Sequence, residues 1–333
     1  MKKYLIILFL PFIILIGCQT SQEENQIIQE DTIVTFNDEW EFLGEYSDAV
    51  VLTDSTGKAK IAVSASMQGR VFTSTADGDN GLSFGWINRK LIAGKETLEH
   101  MNPYGGEDRV WLGPEGGQFS IFFKQEDPFD LEHWQTPAAF DTEPFEMIEL
   151  KSNSAIFQKS MQLMNYSETE FHVDLKREVK VLENTEVESQ LKIEIPKTIK
   201  IVGFVSINTL TNTGEAAWTK DTGLLSIWIL GMFNPSPKTT IIVPYVEGDE
   251  QELGPIVNDA YFGKVPADRL KTEKGIIYFR GDGQYRSKIG LSPARSKPIL
   301  GSYDAGNKVL TIVTYTKPED AEDYVNSMWE LQE

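Results

Sequence analysis

A large all-β antiparallel sandwich with few short helices is the fold class this sequence predicts. Three observations carry that expectation. The segments 154–165 and 170–182 alternate apolar and polar residues over lengths that suit strands with one wet face, apart from a slip near Arg177-Glu178. Many shorter apolar runs are broken by Gly, Asp and Ser. Helical periodicity is scarce, and no internal repeat is visible. The length of 333 residues allows two average domains or one large all-β domain. No stretch between Thr35 and Trp329 reads as a linker, so 32–333 is expected to be a single β-sandwich domain.

The chain opens with an address. Met1-Lys2-Lys3 is basic, and residues 4–16 are almost continuously apolar, interrupted by Pro11. That run falls short of the roughly 20 residues that span a bilayer and suits a signal-peptide core. Leu15-Ile16-Gly17-Cys18 follows and resembles the lipobox of bacterial lipoproteins, which implies that 1–17 is removed and Cys18 is lipidated. The resemblance also implies the outer membrane, periplasmic or surface-facing, because Gln19 and not Asp follows the cysteine. Residues 18–31 are polar and acidic and read as a tether.

Asn37-Asp38 is expected to cap a short helix through Tyr46, with Phe36, Trp40 and Leu43 on one face. Strands are then expected over 50–52, 59–64, 70–75, 118–124, 154–165, 170–182, 188–195, 198–207, 224–230, 239–246, 275–280 and 308–315. Short helices are expected over 266–272 and 318–326, each with a Pro suited to the first turn. Trp40, Trp86 and Trp228 sit in apolar-periodic surroundings and are assigned to the core.

Composition excludes several function classes. Thirty-one basic against fifty acidic residues give a net charge of −19, which argues against a nucleic-acid partner. The single cysteine rules out intrachain disulfides, thiolate zinc sites and iron–sulfur clusters. His100, His133 and His172 have no helical i, i+4 spacing, so a zincin-type site is excluded. No cofactor or metal is expected, although calcium held by carboxylates and carbonyls alone stays open.

The densest chemistry lies in 102–117, NPYGGEDRVWLGPEGG, where Glu107, Asp108, Arg109 and Glu115 stand beside Tyr104 and Trp111. Charged groups that bind hydroxyls next to aromatic faces that cover C–H surfaces suit a sugar. The alternative is a structural turn with an internal Arg–carboxylate pair. In 127–137, DPFDLEHWQTP, His133 is the candidate acid and Trp134 a stacking platform. Glu107 and Glu115 are its candidate carboxylate partners. The run DGDNG at 77–81 reads as a tight turn, because its spacing breaks the EF-hand pattern. G-x-S-x-G around Ser83 lacks the strand-then-helix setting of a nucleophile elbow. Residues 268–297 carry eight basic and three acidic residues in an otherwise acidic chain. Arg280 and Arg286 are the nominated contacts there, either for an anionic group such as a uronate, sulfate or phosphate or on a solvated face.

Several long segments resemble one family of uncharacterised Gram-negative lipoproteins: GGEDRVWLGPEGGQFSIFFK, DPFDLEHWQTPAAFDTEPF, GMFNPSPKTT, VNDAYFGKVPADRL and FRGDGQYRSKIGLSPARSKPILGSYD. QGRVFTSTADGDNGLSFGWIN resembles the opening hairpins of the galactose mutarotase-like fold, an antiparallel supersandwich. That resemblance implies a carbohydrate ligand. It also implies, for an aldose epimerase, a Glu base and a His acid, with His133 first and His172 in reserve. The base usually lies on a late strand, for which the chain up to Glu333 shows no counterpart: either C-terminal strands are lacking, the sheet is finished differently, or the epimerase chemistry is absent. The leading expectation is a lipid-anchored, sugar-binding envelope protein using Arg109, Trp111, Trp134, Asn258, Asp259, Arg280 and Arg286. An aldose epimerase or other carbohydrate-active enzyme, and a non-catalytic envelope scaffold, are the alternatives.

Overall fold

The computed structural model describes residues 34–318 and 328–331. Cys18, the signal segment 1–17, the tether 18–31 and all but Pro318 of the helix expected over 318–326 lie outside the described residues.

The first helix, α1 (Phe36–Tyr46), starts earlier than Asn37-Asp38 predicted. Thr35 is its cap: its Oγ1 accepts from the Asp38 backbone at 3.2 Å, and the Asp38 carboxylate accepts from the Thr35 backbone at 2.8 Å. Asp38 is therefore the reciprocal partner of a capping box, not the cap. Strands β1 (Val50–Thr53), β2 (Lys60–Ser64) and β3 (Arg70–Thr75) form a three-stranded antiparallel sheet covered on both faces. Ile61, Val63 and Val71 enter the main core, while Ala62 and Phe72 join Phe36, Leu43, Ile87 and Ile92 beneath α1 and α2 (Arg89–Gly94). Burial on both sides explains why 61–64 is a continuous small and apolar run and does not alternate.

Strand β4 (Arg109–Gly113) pairs with β9 (Ser226–Leu230), with Trp111 opposite Trp228. Strands β5 (Glu146–Leu150), β6 (Ser154–Met164), β7 (Glu170–Leu182) and β8 (Gly203–Asn212) form a four-stranded sheet in sequence order. Its inner face sends Phe157, Leu163, Phe171, Val173, Leu175, Val179 and Val181 into the main core. Each such side chain stabilises the fold by about 1.5–3 kcal/mol. The slip expected at Arg177-Glu178 is not one. Arg177 holds an inward position between Leu175 and Val179 and is fully buried, so the alternation is unbroken but contains a charged core residue.

Strands β10 (Thr239–Pro244), β11 (Leu270–Glu273), β12 (Ile276–Arg280), β13 (Ile299–Asp304) and β14 (Val309–Thr314) form a sheet of order β11-β12-β10-β13-β14. Ile277 is its one fully buried apolar residue among the described residues, while Tyr278, Tyr303, Leu310 and Ile312 remain exposed. All strand pairs of the described residues are antiparallel.

Four further expectations are corrected. Residues 118–124 are irregular, because Ile121, Phe122 and Phe123 are all buried in succession and Ser120 Oγ turns back to the Glu115 carbonyl at 2.7 Å. The strand expected over 188–195 gives way to helix α4 (Asn184–Leu191), whose entry is fixed by the Glu186 carboxylate accepting from the Glu183 backbone at 2.9 Å. The following strand starts at Gly203, in register with Leu182, and not at 198. The helix expected over 266–272 is a turn leading into β11, which Leu270 and Thr272 pair to Phe279 and Ile277. The elements α3 (Ala138–Asp141) and α5 (Glu250–Leu253) are single short turns of helix. Among the described residues no helix is long and apolar enough to cross a membrane.

Candidate functional site

The segment 102–117 divides in two. Its first half runs into the core. The Glu107 carboxylate accepts from the Ser74 backbone at 2.5 Å and Ser74 Oγ at 2.8 Å, and burial pushes its pKa up from 4.5 to about 7. Asp108 pairs with Arg177 and accepts from Ser206 Oγ at 2.8 Å. Arg109 pairs with Asp141, donates to the carbonyls of Asn102 and Phe140, and lies 4.5 Å over the Trp111 ring. Trp111 packs among Phe122, Trp134, Phe140 and Trp228. Trp134 is stacked on Phe122. Glu107, Arg109, Trp111 and Trp134 are thus all buried, and in place of an Arg–carboxylate pair within the segment there are two pairs to residues outside it, Arg109–Asp141 and Asp108–Arg177. The cause is that β4 is enclosed along its whole length, and an enclosed guanidinium needs enclosed acceptors, which for Arg109 are Asp141 and two carbonyls.

The second half reaches a different place. After β4 the chain turns through Pro114 to Glu115, whose carboxyl is largely buried. Burial raises its pKa, opposed by the Lys288 ammonium and by a hydrogen bond with Trp329. Lys288 Nζ stands 3.9 Å from Glu115 Oε2, beyond direct hydrogen-bond range. It lies 4.7 Å from the centre of the Tyr261 ring and 6.0 Å from that of Trp228. Trp228 meets Trp111 edge-on at 5.5 Å, with core on one side and Lys288 on the other. Trp329 stacks on Trp134 and meets Phe123 edge-on. Gly116 permits this approach, since a Cβ there would collide with the Met328 carbonyl.

Two loops frame the cluster. Asn258 and Gly290 exchange both backbone hydrogen bonds at 2.8 Å, tying the loop that carries Tyr261 to the loop that carries Lys288. Asn258 Oδ1 accepts from Ala260, and buried Asp259 pairs with Lys264 at 2.7 Å. Both side chains shape the loop. Arg286 lies 4.6 Å over the exposed Phe262 ring. Arg280 is held by Asp282, away from the Glu115 pair.

The family model that matches residues 34–333 is the family of unknown function DUF6786. The chain belongs to this family. No curated protein matches it. A crystal structure of the Slr1438 protein from Synechocystis sp. PCC 6803 is similar at 14% identity and a TM-score of 0.40, covering 78% of this chain and 75% of that one.

In this DUF6786 chain the nominated residues therefore separate. Glu115 stands with the loops bearing Asn258, Asp259 and Arg286, whereas Glu107, Arg109, Trp111 and Trp134 lie in the core. His133 sits in a surface turn, with Nδ1 2.6 Å from Asp130 Oδ1, and that hydrogen bond raises its pKa. It makes no ion pair or hydrogen bond with Glu107 or Glu115. His172 is exposed on β7, with Nε2 3.4 Å from Glu170. Among the described residues no group of three or more His, Cys, Asp or Glu is placed to hold a metal ion. Lys288, Tyr261, Trp228 and Trp329 were not nominated from sequence. The run RGDGQYRSK marked the first, but nothing local places Trp228 beside it.

The cluster offers an ammonium, a carboxyl whose pKa burial raises, and the rings of Tyr261 and Trp228 near the ammonium. Such a set can hold a hydroxyl between Lys288 and Glu115 and cover an apolar ring face.

Proposed function

We propose that this protein is a lipid-anchored, carbohydrate-interacting envelope protein of galactose mutarotase-like fold, and that it takes a sugar at the Glu115–Lys288 cluster. The observation that supports this reading is the 3.9 Å gap between Lys288 Nζ and Glu115 Oε2 beneath the rings of Trp228 and Tyr261. A sugar hydroxyl in that gap accepts from the ammonium and donates to the carboxylate, while a ring face covers the C–H surface. The anchor rests on the lipobox-like Leu15-Ile16-Gly17-Cys18, and Gln19 supports the outer membrane.

An aldose epimerase is the second reading. It is favoured by the raised pKa of Glu115, which a general acid or base at neutral pH requires. One experiment tests both. A soluble chain beginning at Gln19 is titrated into a panel of monosaccharides, and NMR reads ligand line-broadening and α/β anomer exchange together. Broadening that Glu115→Gln and Trp228→Ala abolish is expected for the binding protein. Accelerated exchange lost in the same variants establishes the epimerase. Neither signal rejects the sugar site and favours a scaffold.

A further inference from the structure

A second group of cations lies in an open groove of about 290 Å³ at one end of β10, β11 and β12. Lys238, Arg269, Lys271 and Arg280 line it, with the Tyr278 ring and the hydroxyl-bearing Thr239. None of these residues belongs to the Glu115 cluster. The neighbouring acids do not saturate the donors. Asp282 is shared: it accepts both terminal nitrogens of Arg269 and stands 2.8 Å from Arg280 Nε. Lys271 is taken by Glu273 at 2.7 Å, and Asp268 also lines the groove. The terminal nitrogens of half-exposed Arg280 and the ammonium of exposed Lys238 have no partner among the described residues.

Two further donors are left over inside. Arg269 Nε and Thr239 Oγ1 are buried without any hydrogen-bond partner, and the Arg269 side chain is only 10% exposed. A buried polar atom without a partner costs free energy. Both belong to residues that line the groove, beside the open donors of Lys238 and Arg280. All the unmet groups can donate, three of the four belong to cations, and the chain as a whole carries −19. A ligand that only accepts, and is negative, meets that set; guanidinium geometry suits carboxylate, sulfate and phosphate alike.

We propose that this groove is a second ligand site, which takes an oxyanion group. The inference does not rest on the carbohydrate reading of the Glu115 cluster. The test titrates the full-length chain with inorganic phosphate, sulfate, D-galacturonate and, as the neutral counterpart of the last, D-galactose, by calorimetry at low and moderate salt. At least one oxyanion probe is expected to bind, more weakly as salt rises. The surface variants Lys238→Gln and Arg280→Gln combined are expected to weaken it about tenfold or more. Glu115→Gln is expected to leave oxyanion binding unchanged. Binding of the inorganic ions assigns the site to the oxyanion itself. Binding of galacturonate alone, lost in Lys238→Gln/Arg280→Gln and kept in Glu115→Gln, assigns it to a sugar-borne carboxylate. The proposal is overturned if no oxyanion binds at millimolar concentration, if Lys238→Gln/Arg280→Gln binds as tightly as the parent with an unchanged melting temperature, or if galactose competes equally in the groove. Loss of galactose binding in Glu115→Gln alone concerns the other site and leaves this one standing.

Discussion

The interior around β4 and β7 and the outer face of the C-terminal sheet use the same residue types in opposite ways. In the interior, Arg70, Arg109 and Arg177 are fully enclosed. Two of them are paired to Asp141 and Asp108, and Arg70 donates to the Gly105 carbonyl at 2.8 Å and to Gln68 at 3.1 Å. Burial, with Arg109 as neighbour, holds the pKa of Arg70 well below its ordinary value. At the C-terminal sheet, Lys238 and Arg280 stand open to solvent beside exposed aromatic residues. The lesson is that charge beside an aromatic ring is not by itself a site. What separates architecture from a binding surface is whether the cation is enclosed, as Arg70 and Arg109 are although their Nε atoms lack partners, or open to an incoming ligand.

The sharpest way to break this distinction is to unpair an interior arginine. Asp108→Ala leaves the Arg177 guanidinium enclosed without a carboxylate and is expected to cost about 3–5 kcal/mol in urea unfolding. Arg280→Gln, half-exposed, is expected to stay within about 0.5 kcal/mol. Equal losses in the two variants would show that the interior pairs are not the structural element claimed here.

Glu107 gives the next largest effect, through pH. Its folded pKa of about 7 lies above the ordinary 4.5, so the folded chain holds a proton that the unfolded chain releases. Stability therefore falls as pH rises from about 4.5 to about 7, by about 3 kcal/mol for this group. Glu107→Gln is neutral throughout and should flatten that interval in denaturation curves measured at successive pH values. A slope identical to that of the parent would mean that Glu107 is ionised in its pocket.

The contrast also shows what was legible in the sequence. The long alternation of 154–165 and 170–182 gave both central strands, since period-two burial needs no knowledge of the partner. Arg177 looked like a slip, because an inward arginine is readable only once Asp108, far away in the chain, is seen beside it. The same limit applied to 102–117. Local composition singled out the segment, but which of its acids would be enclosed depended on β9 and on residues 328–329. Lys288 and Trp228 meet through tertiary packing alone. The helix α4 was missed because its decisive signal was the cap contact between Glu183 and Glu186, not apolar spacing.

Exposed apolar residues of the C-terminal sheet sharpen the comparison from the other side. Tyr303→Ser and Leu310→Ser remove large side chains that are 43% and 62% exposed, and each is expected to change stability by no more than about 0.5 kcal/mol. Ile277→Ala in the same sheet removes a fully buried side chain and is expected to cost about 2–5 kcal/mol. Similar losses in all three variants would mean that the exposed face is covered in solution.

The smallest effect concerns His133. Its ring is held by Asp130 in a local turn, and the raised pKa follows mainly from that one hydrogen bond. An NMR titration should find the ring protonated above the ordinary 6.5, and Asp130→Asn should return it toward that value. Because His133 bonds to neither Glu115 nor Lys288, His133→Ala should leave sugar line-broadening and any anomer exchange as they are in the parent chain. Loss of either signal in His133→Ala would move the functional centre from the Glu115 cluster to the turn 130–134. It would then be the open histidine, and not the half-buried ion pair, that does the chemistry.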